Sequence, residues 1–492
     1  MKMKRFLFLL ILLSLLLALF VPAAGAVDAT ASAQDTTASG ETTAASGETT
    51  AASGETTAAA ADGAYTVKAK AALLIELNTD QVLLQQNADE KIYPASLTKI
   101  MTCLLALENG KLTDEITVSA TALQGLDEAG STAGLQEGET LPLEEILYCM
   151  MLSSANEACN VVAEYVAGSV SAFVDMMNAK AQALGCTGTH FANPHGLHDD
   201  DHYTTARDLS IIARAALQNE TFVKITSTTT HDVPATNKSE IRHLVTTNYL
   251  VSKDTTSDYY YEYAKGVKTG YTSQAGRCLI TTADNGKLKL LSVVCGADTV
   301  VKDNGDVEYE SFVETKKLLE YAFSNWAYAK VLSTLYPITE IPVLNSAGAE
   351  AAVLAPDAQI TALLPANFDE KLIQSDIKLT SESGVEAPIT KGQKLGTVTV
   401  TYQGRELGTA NLVAITDIPR SEIAAQAAST KSFLELNWWK ILIGLLVLVI
   451  LLCVLSYRLG RARRRRSRMK QRAEKRGTIP FPGSDRGLDD EE

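Results

Sequence analysis

Apolar side chains recur along this chain with several different periods, and each change of period marks a segment. An almost uninterrupted apolar run extends over residues 6–21. Across residues 28–62 large apolar residues vanish altogether. Helical spacing appears at Leu97, Ile100, Met101, Leu104 and Leu105, just after Pro94, a residue that cannot continue a helix backward. Residues 143–152 read as a second helix, and another apolar-periodic run begins at Asn156 and passes through Val162 and Tyr165. Two β-rich runs, 278–283 and 288–294, flank Asn285-Gly286, the signature of a hairpin. Alternation is clearest over 396–402, ahead of Gln403-Gly404 and a returning run, which predicts a small β domain over 335–419. A final apolar run of twenty residues, 438–457, is broken only by Lys440 near its edge.

The outer runs set the expected organisation. Met1-Lys2-Met3-Lys4-Arg5, the apolar run and Ala24-Gly25-Ala26 form the three parts of a secretory signal, expected over 1–26. Residues 27–63 hold little but Thr, Ala, Ser, Gly and Glu, with a seven-residue repeat whose seam has only alanine to bury, so a flexible stalk is expected. The stretch 64–326 is long enough for one sizeable core and is assigned to a single domain. Residues 420–437 are expected to be a linker. The run 438–457 is long enough to span a bilayer, with Trp438 and Trp439 at one interface and the basic segment 458–492 beyond it. The positive-inside rule places that tail in the cytoplasm and the larger part of the chain outside.

Charge narrows the partners. Twelve basic and six acidic residues follow from Arg458 onward, so the overall −14 leaves −20 on the rest of the chain. A surface that acidic is a poor nucleic-acid binder, and the arginines read as a stop-transfer flank or a contact with anionic lipid. The seven cysteines form no spacing that specifies disulfides, and their pairing stays open.

Three short pieces carry the chemistry. Ser96-Leu97-Thr98-Lys99 puts an amine one helical turn from a hydroxyl, on the same face, close to a helix N-terminus. Ser154-Ala155-Asn156 adds a second hydroxyl beside an amide, and Lys268-Thr269-Gly270 a cation beside a hydroxyl. S-x-x-K arises by chance about twice in a chain this long, and two decoys do occur, at Ser375–Lys378 and Ser467–Lys470. K-T-G is expected about 0.1 times and occurs once. A serine hydroxyl is a poor nucleophile until a base takes its proton, so Lys99 has to be neutral, its pKa depressed by burial and by a second cation, for which Lys268 is the candidate.

A rival cluster is histidine-based. His190, His195, His198 and His202 lie close together with Asp199, Asp200 and Asp201, and such density can mean zinc. The spacing matches no common zinc arrangement, and the stretch reads equally as a polar turn leading into a helix at 204–208. No metal and no cofactor are assigned.

The S-x-x-K, S-x-N and K-T-G set resembles that of penicillin-binding proteins and class A β-lactamases. Residues 93–102, together with 191–197 (Phe-Ala-Asn-Pro-His-Gly-Leu) and 266–272, are similar to segments of the low-molecular-weight group, the serine D-alanyl-D-alanine carboxypeptidases. The resemblance covers roughly 64–326 and more loosely continues to 419. Ala155, where class A β-lactamases carry Asp, argues against that branch. Periodicity alone supports a mixed α/β class. The resemblance implies a DD-peptidase-like, serine β-lactamase-like α+β fold, an antiparallel sheet with flanking helices, followed by the small all-β domain and one C-terminal transmembrane helix. It also implies Ser96, Lys99 and Ser154 as catalytic residues. Asn156, Lys268, Thr269, Gly270 and Tyr271 would bind substrate, with backbone N–H groups of Ser96 and Tyr271 as an oxyanion hole. The implied ligands are peptidoglycan stem peptides and β-lactams, on a cell-membrane enzyme of unassigned oligomeric state. A β-lactamase, a transpeptidase and a catalytically silent wall-binding protein remain as alternatives.

Overall fold

The computed structural model describes residues 65–127, 130–253 and 258–474. The expected signal and stalk lie outside the described residues, as does the tail beyond 474.

The strands β1 (Ala71–Glu76) and β2 (Val82–Gln86) precede helix α1 (Lys99–Asn109), then short strands β3 (Glu115–Thr117) and β4 (Thr140–Pro142). Helices α2 (Leu143–Met151), α3 (Asn156–Ala167), α4 (Val170–Ala183), α5 (Ala206–Leu217) and α6 (Glu220–Ser227) follow. The hairpin β5 (Thr230–Val233) and β6 (Arg242–Val245) leads to three long strands, β7 (Ala264–Thr272), β8 (Gly276–Asp284) and β9 (Lys289–Ala297). A short pair, β10 (Thr299–Val301) and β11 (Val307–Tyr309), ends in helix α7 (Glu310–Asn325).

Five strands form an antiparallel sheet in the order β2-β1-β9-β8-β7, so β7, which carries Lys268-Thr269-Gly270, is an edge strand. The expected Asn285-Gly286 hairpin joins β8 to β9, with Gly286 at φ 80°. Both sheet faces are buried. Leu73, Ile75, Ile280, Leu291 and Val293 pack with helices α1–α6, whereas Leu74, Leu279, Leu290 and Val294 pack against Phe312, Leu318 and Leu319 of α7. Strands covered on both sides tend to read as continuous apolar runs, which is why 288–294 shows little alternation. The sheet and flanking helices match the fold expected for the catalytic domain.

The all-β domain begins earlier than 335. Strand β12 (Trp326–Leu332) follows α7 without a break and pairs with β15 (Ile360–Pro365), so it belongs to this domain although its Ala- and Lys-containing sequence alternates poorly. Strands β13 (Thr339–Leu344), β14 (Ala351–Pro356), β16 (Ile373–Leu379), β17 (Val385–Glu386), β18 (Lys394–Tyr402) and β19 (Arg405–Ala414) form a six-stranded sheet in the order β16-β18-β19-β14-β13-β17. Its core is centred on Ile341, Leu354, Val398, Val400 and Leu412.

The stretch expected as a linker is helical. Helix α8 runs unbroken over Glu422–Glu474, through the whole apolar run and into the basic segment. Ser421 caps it by accepting from the Ala424 N–H, and the alanines at 424, 425, 427 and 428 that follow favour helix over coil. Its apolar stretch is long enough to cross a membrane.

Candidate active site

The turn that carries Ser96 is built by local constraint and then locked by contacts from far along the chain. Ala95–Thr98 form a 3-10 turn that feeds directly into α1, with Pro94 before it. Ala95 takes a left-handed φ of 48°, which costs an L-residue of order 1–3 kcal/mol and persists only where the surroundings enforce it. They do so through Gly196, which sits at φ 87° so close to the turn that a Cβ there would stand 1.8 Å from the Ala95 carbonyl oxygen. Thr102 donates to the Pro194 carbonyl at 2.6 Å, fastening the same segment to α1. Ser96 itself is half-buried.

Lys99 is fully buried at the start of α1, and its Nζ meets three acceptors: Ser96 Oγ at 2.9 Å, Asn156 Oδ1 at 2.8 Å and the His195 carbonyl at 2.7 Å. Two of these partners are carbonyl-type oxygens that can only accept. They occupy two N–H bonds of a neutral amine and leave its lone pair for the Ser96 hydroxyl proton. Burial depresses the Lys99 pKa, opposed by the nearby Cys159 and Glu157. Lys268, 1% exposed, is pushed down to about 7 by burial first and then by the charge of Lys99. Lys99 thus acts on Lys268 across 169 positions of sequence. Lys268 is not among the groups that shift Lys99, so burial, and not the second cation expected from the sequence, depresses the Lys99 amine.

The turn between α2 and α3 holds Ser154, buried and in a left-handed conformation (φ 59°), and Asn156 as the first residue of α3. Ser154 is not among the hydrogen-bond partners of Lys99 in the described residues. Edge strand β7 lies against the Ser96 turn at Gly270, where a Cβ would stand 2.9 Å from the Ser96 nitrogen and 3.1 Å from the Ala95 Cβ. Only glycine permits that approach. Lys268 Nζ donates to the Thr269 carbonyl at 3.1 Å, and the Thr269 hydroxyl meets that of Thr247 at 2.5 Å. Tyr271 is exposed, its ring 4.3 Å from the guanidinium of Arg277 on β8. The two decoys lie elsewhere, exposed, Ser375 on β16 and Ser467 on α8.

The histidine-rich segment supports this turn. His202 Nδ1 accepts from the Ala192 N–H at 3.0 Å, so its other nitrogen carries the proton and donates to Thr98 Oγ1 at 2.8 Å, while Thr98 donates to the Ala95 carbonyl. Burial pushes the His202 pKa down to about 4 and that of His195 to about 3, so both rings are neutral at ordinary pH. His190 and His198 are turned away, toward the Asp201 carbonyl and the Asp200 carboxylate. Among the described residues no three His, Cys, Asp or Glu side chains gather as a metal site. The cysteines at 103, 149, 159, 186, 278 and 295 are buried free thiols.

Sequence reading missed Thr247, the carbonyl of His195, and the packing role of Gly196. The motif Asn193-Pro194-His195-Gly196 marked a turn there, but nothing local said which helix it would meet.

Two families match in register with these domains. The D-alanyl-D-alanine carboxypeptidase family matches residues 55–299, and the penicillin-binding protein 5 C-terminal domain matches residues 328–420. D-alanyl-D-alanine carboxypeptidase DacF of Bacillus subtilis is 33% identical over 360 residues, covering 72% of this chain and 87% of that protein. DacA of Escherichia coli is 29% identical over 388 residues, covering 77% and 90%. Among solved structures, penicillin binding protein 5 of Haemophilus influenzae superposes with a TM-score of 0.53 at 28% identity, covering 73% of this chain and 99% of that one. The fold, the meeting of the three motif segments around Ser96 and a likeness that runs through both globular domains agree, and the chain belongs to the D-alanyl-D-alanine carboxypeptidase family of serine-type hydrolases.

Proposed function

We propose that this protein removes the terminal D-alanine from peptidoglycan stem peptides through a Ser96 acyl-enzyme and is acylated at the same residue by penicillins. Lys99 takes the Ser96 proton as the hydroxyl attacks the penultimate carbonyl, and backbone N–H groups of Ser96 and Tyr271 receive the negative charge on the tetrahedral oxygen. Ser154 relays the proton to the departing amine, Asn156 holds the substrate amide, and Lys268 with Thr269 grips the terminal carboxylate. D-Alanine leaves, and water then hydrolyses the ester. Helix α8 anchors the enzyme in the cell membrane, with the catalytic domain outside and the arginine-rich end in the cytoplasm.

The observation that carries this reading is the 2.9 Å contact between Lys99 Nζ and Ser96 Oγ, with the amine's other hydrogen bonds taken by two pure acceptors. Mass spectrometry of the intact chain after penicillin treatment, followed by peptide mapping, tests it. A single adduct on the peptide containing Ser96 is expected, lost in Ser96→Ala and in a folded Lys99→Ala variant. Normal acylation of Lys99→Ala would remove Lys99 as the base. Rapid turnover of the adduct would make the protein a β-lactamase, and transfer of the acyl group to an added amine would make it a transpeptidase.

A further inference from the structure

The acidic residue next to Asn156 has no part in the chemistry above, yet its surroundings are built around the site. Glu157 is 3% exposed in the first turn of α3. Its Oε1 accepts from Thr132 Oγ1 at 2.7 Å and from the N–H groups of Ala133, Gly134 and Leu135 at 2.8, 3.1 and 3.5 Å. One carboxylate oxygen thus gathers four donors from consecutive residues of the segment leading into β4. That segment forms the wall behind Asn156. The Ser131 carbonyl accepts from the Asn156 N–H at 2.9 Å, and a Cβ on Gly130 would stand 2.8 Å from the Asn156 side-chain nitrogen. From the other side, Arg242 donates to the Gly134 carbonyl at 3.1 Å and pairs with the buried Glu139.

We propose that Glu157 is a positioning residue for acylation: its carboxylate oxygen pins segment 130–135 against Asn156 and thereby holds the Asn156 amide oxygen on Lys99. The inference rests on the functional reading above and deepens it. Ser131 fixes the Asn156 main chain and Gly130 closes the far side of its amide, which keeps that amide from swinging away from Lys99. Releasing the segment frees the amide to rotate, and a displacement of about 1 Å in a reacting constellation can cost about a hundredfold in rate. The anchoring needs an acceptor at Oε1, not a negative charge, so Gln serves where Ala does not.

Charge is a separate handle on the same residue. Lys99 faces Glu157 and Cys159 from α3, Lys268 from β7, and His195 and His202 from the histidine-rich segment. The Glu157 carboxylate favours the protonated amine, so its loss in Glu157→Gln lets Lys99 give up its proton at lower pH.

The experiment compares acylation by a fluorescent penicillin in the full-length chain, Glu157→Gln and Glu157→Ala, well below each variant's melting temperature. Glu157→Ala is expected to acylate at least about tenfold more slowly while still labelling to full stoichiometry. Glu157→Gln is expected to stay within about threefold of wild type, with the acid limb of its pH profile displaced to lower pH. Wild-type rates in Glu157→Ala would overturn the proposal, because a purely structural role lowers the melting temperature without slowing the folded enzyme. Equal impairment of Glu157→Gln and Glu157→Ala would overturn it as well. Should Glu157→Ala not fold, Gly130→Ala presses directly on the Asn156 amide, and an unchanged acylation rate there would count against the coupling. Wild-type labelling, measured alongside, reads the functional assignment separately, and its absence overturns both.

Discussion

Gly196→Ala is the sharpest probe of how the nucleophile turn is held. The added Cβ would lie 1.8 Å from the Ala95 carbonyl oxygen, 2.4 Å from its carbon and 2.9 Å from Thr98 Oγ1, where a comfortable carbon contact needs about 3.5 Å. Backbone on one side must therefore move by more than 1 Å, and the moving backbone belongs to the residue before Ser96. Two costs add. A left-handed conformation at φ 87° costs an L-residue roughly 1–2 kcal/mol, and overpacking of this severity costs roughly 1–3 kcal/mol. The sum of about 2–5 kcal/mol corresponds to about 4–20 °C in melting temperature for a domain of this size. Acylation should fall by about a hundredfold, because the displaced atoms carry the nucleophile. Gly286→Ala is the control: its φ of 80° is similar, nothing stands within 4 Å of the added methyl, and it lies in the β8–β9 turn away from the site. It pays only the conformational part and should acylate normally. Thermal unfolding and penicillin-labelling kinetics on both variants decide. A Gly196→Ala protein that melts no lower than Gly286→Ala and labels at the wild-type rate would show that the turn is not held from residue 196.

Two further outcomes follow from the buried cations and rings. In the free enzyme Lys268 loses its proton as pH rises through about 7, so acylation by carboxylate-bearing ligands should decline on the alkaline side. Lys268→Arg, slower overall because the guanidinium fits the site differently, keeps its charge and should abolish that decline; an unchanged alkaline limb would separate Lys268 from carboxylate recognition. His202 acts on stability. Its ring is held neutral down to about 4, against 6.5 in the unfolded chain, so acid favours unfolding. Up to about 3 kcal/mol of stability should be lost between pH 6.5 and 4. In His202→Ala, melting curves should show a shallower acid decline from a lower starting point, and an identical slope would contradict the buried neutral ring.

What could be read from the sequence was what short-range periodicity encodes. Ser96 and Lys99 share a helical face because three residues separate them, residues 143–151 and 156–167 are helices around Ser154, and Asn285-Gly286 turns a hairpin. The pairing of Lys99 with Asn156 and with the His195 carbonyl joins positions 57 and 96 residues apart. Such contacts leave no local period, and only the resemblance to a family suggested that these segments meet. Thr247 is one threonine among many until β7 is known to be an edge strand beside it. The helix through 420–437 was missed for the opposite reason. From Ala424 to Ser432 its residues are small or polar all round, with no apolar stripe to announce a helix, and it persists because Ser421 starts it and the apolar run continues it.

In the membrane-anchored arrangement proposed above, that unbroken helix has a geometric consequence. A coil between the β domain and the apolar run would let the globular domains sample many heights and headings above a bilayer. The sixteen helical residues from Glu422 to Asn437 instead form a strut about 24 Å long, in which each residue adds about 1.5 Å of height and about 100° of turn. Standoff and heading would thereby be geared together, so the distance from a lipid surface at which Ser96 is presented, and the direction it faces, would both be set by the number of residues in that strut.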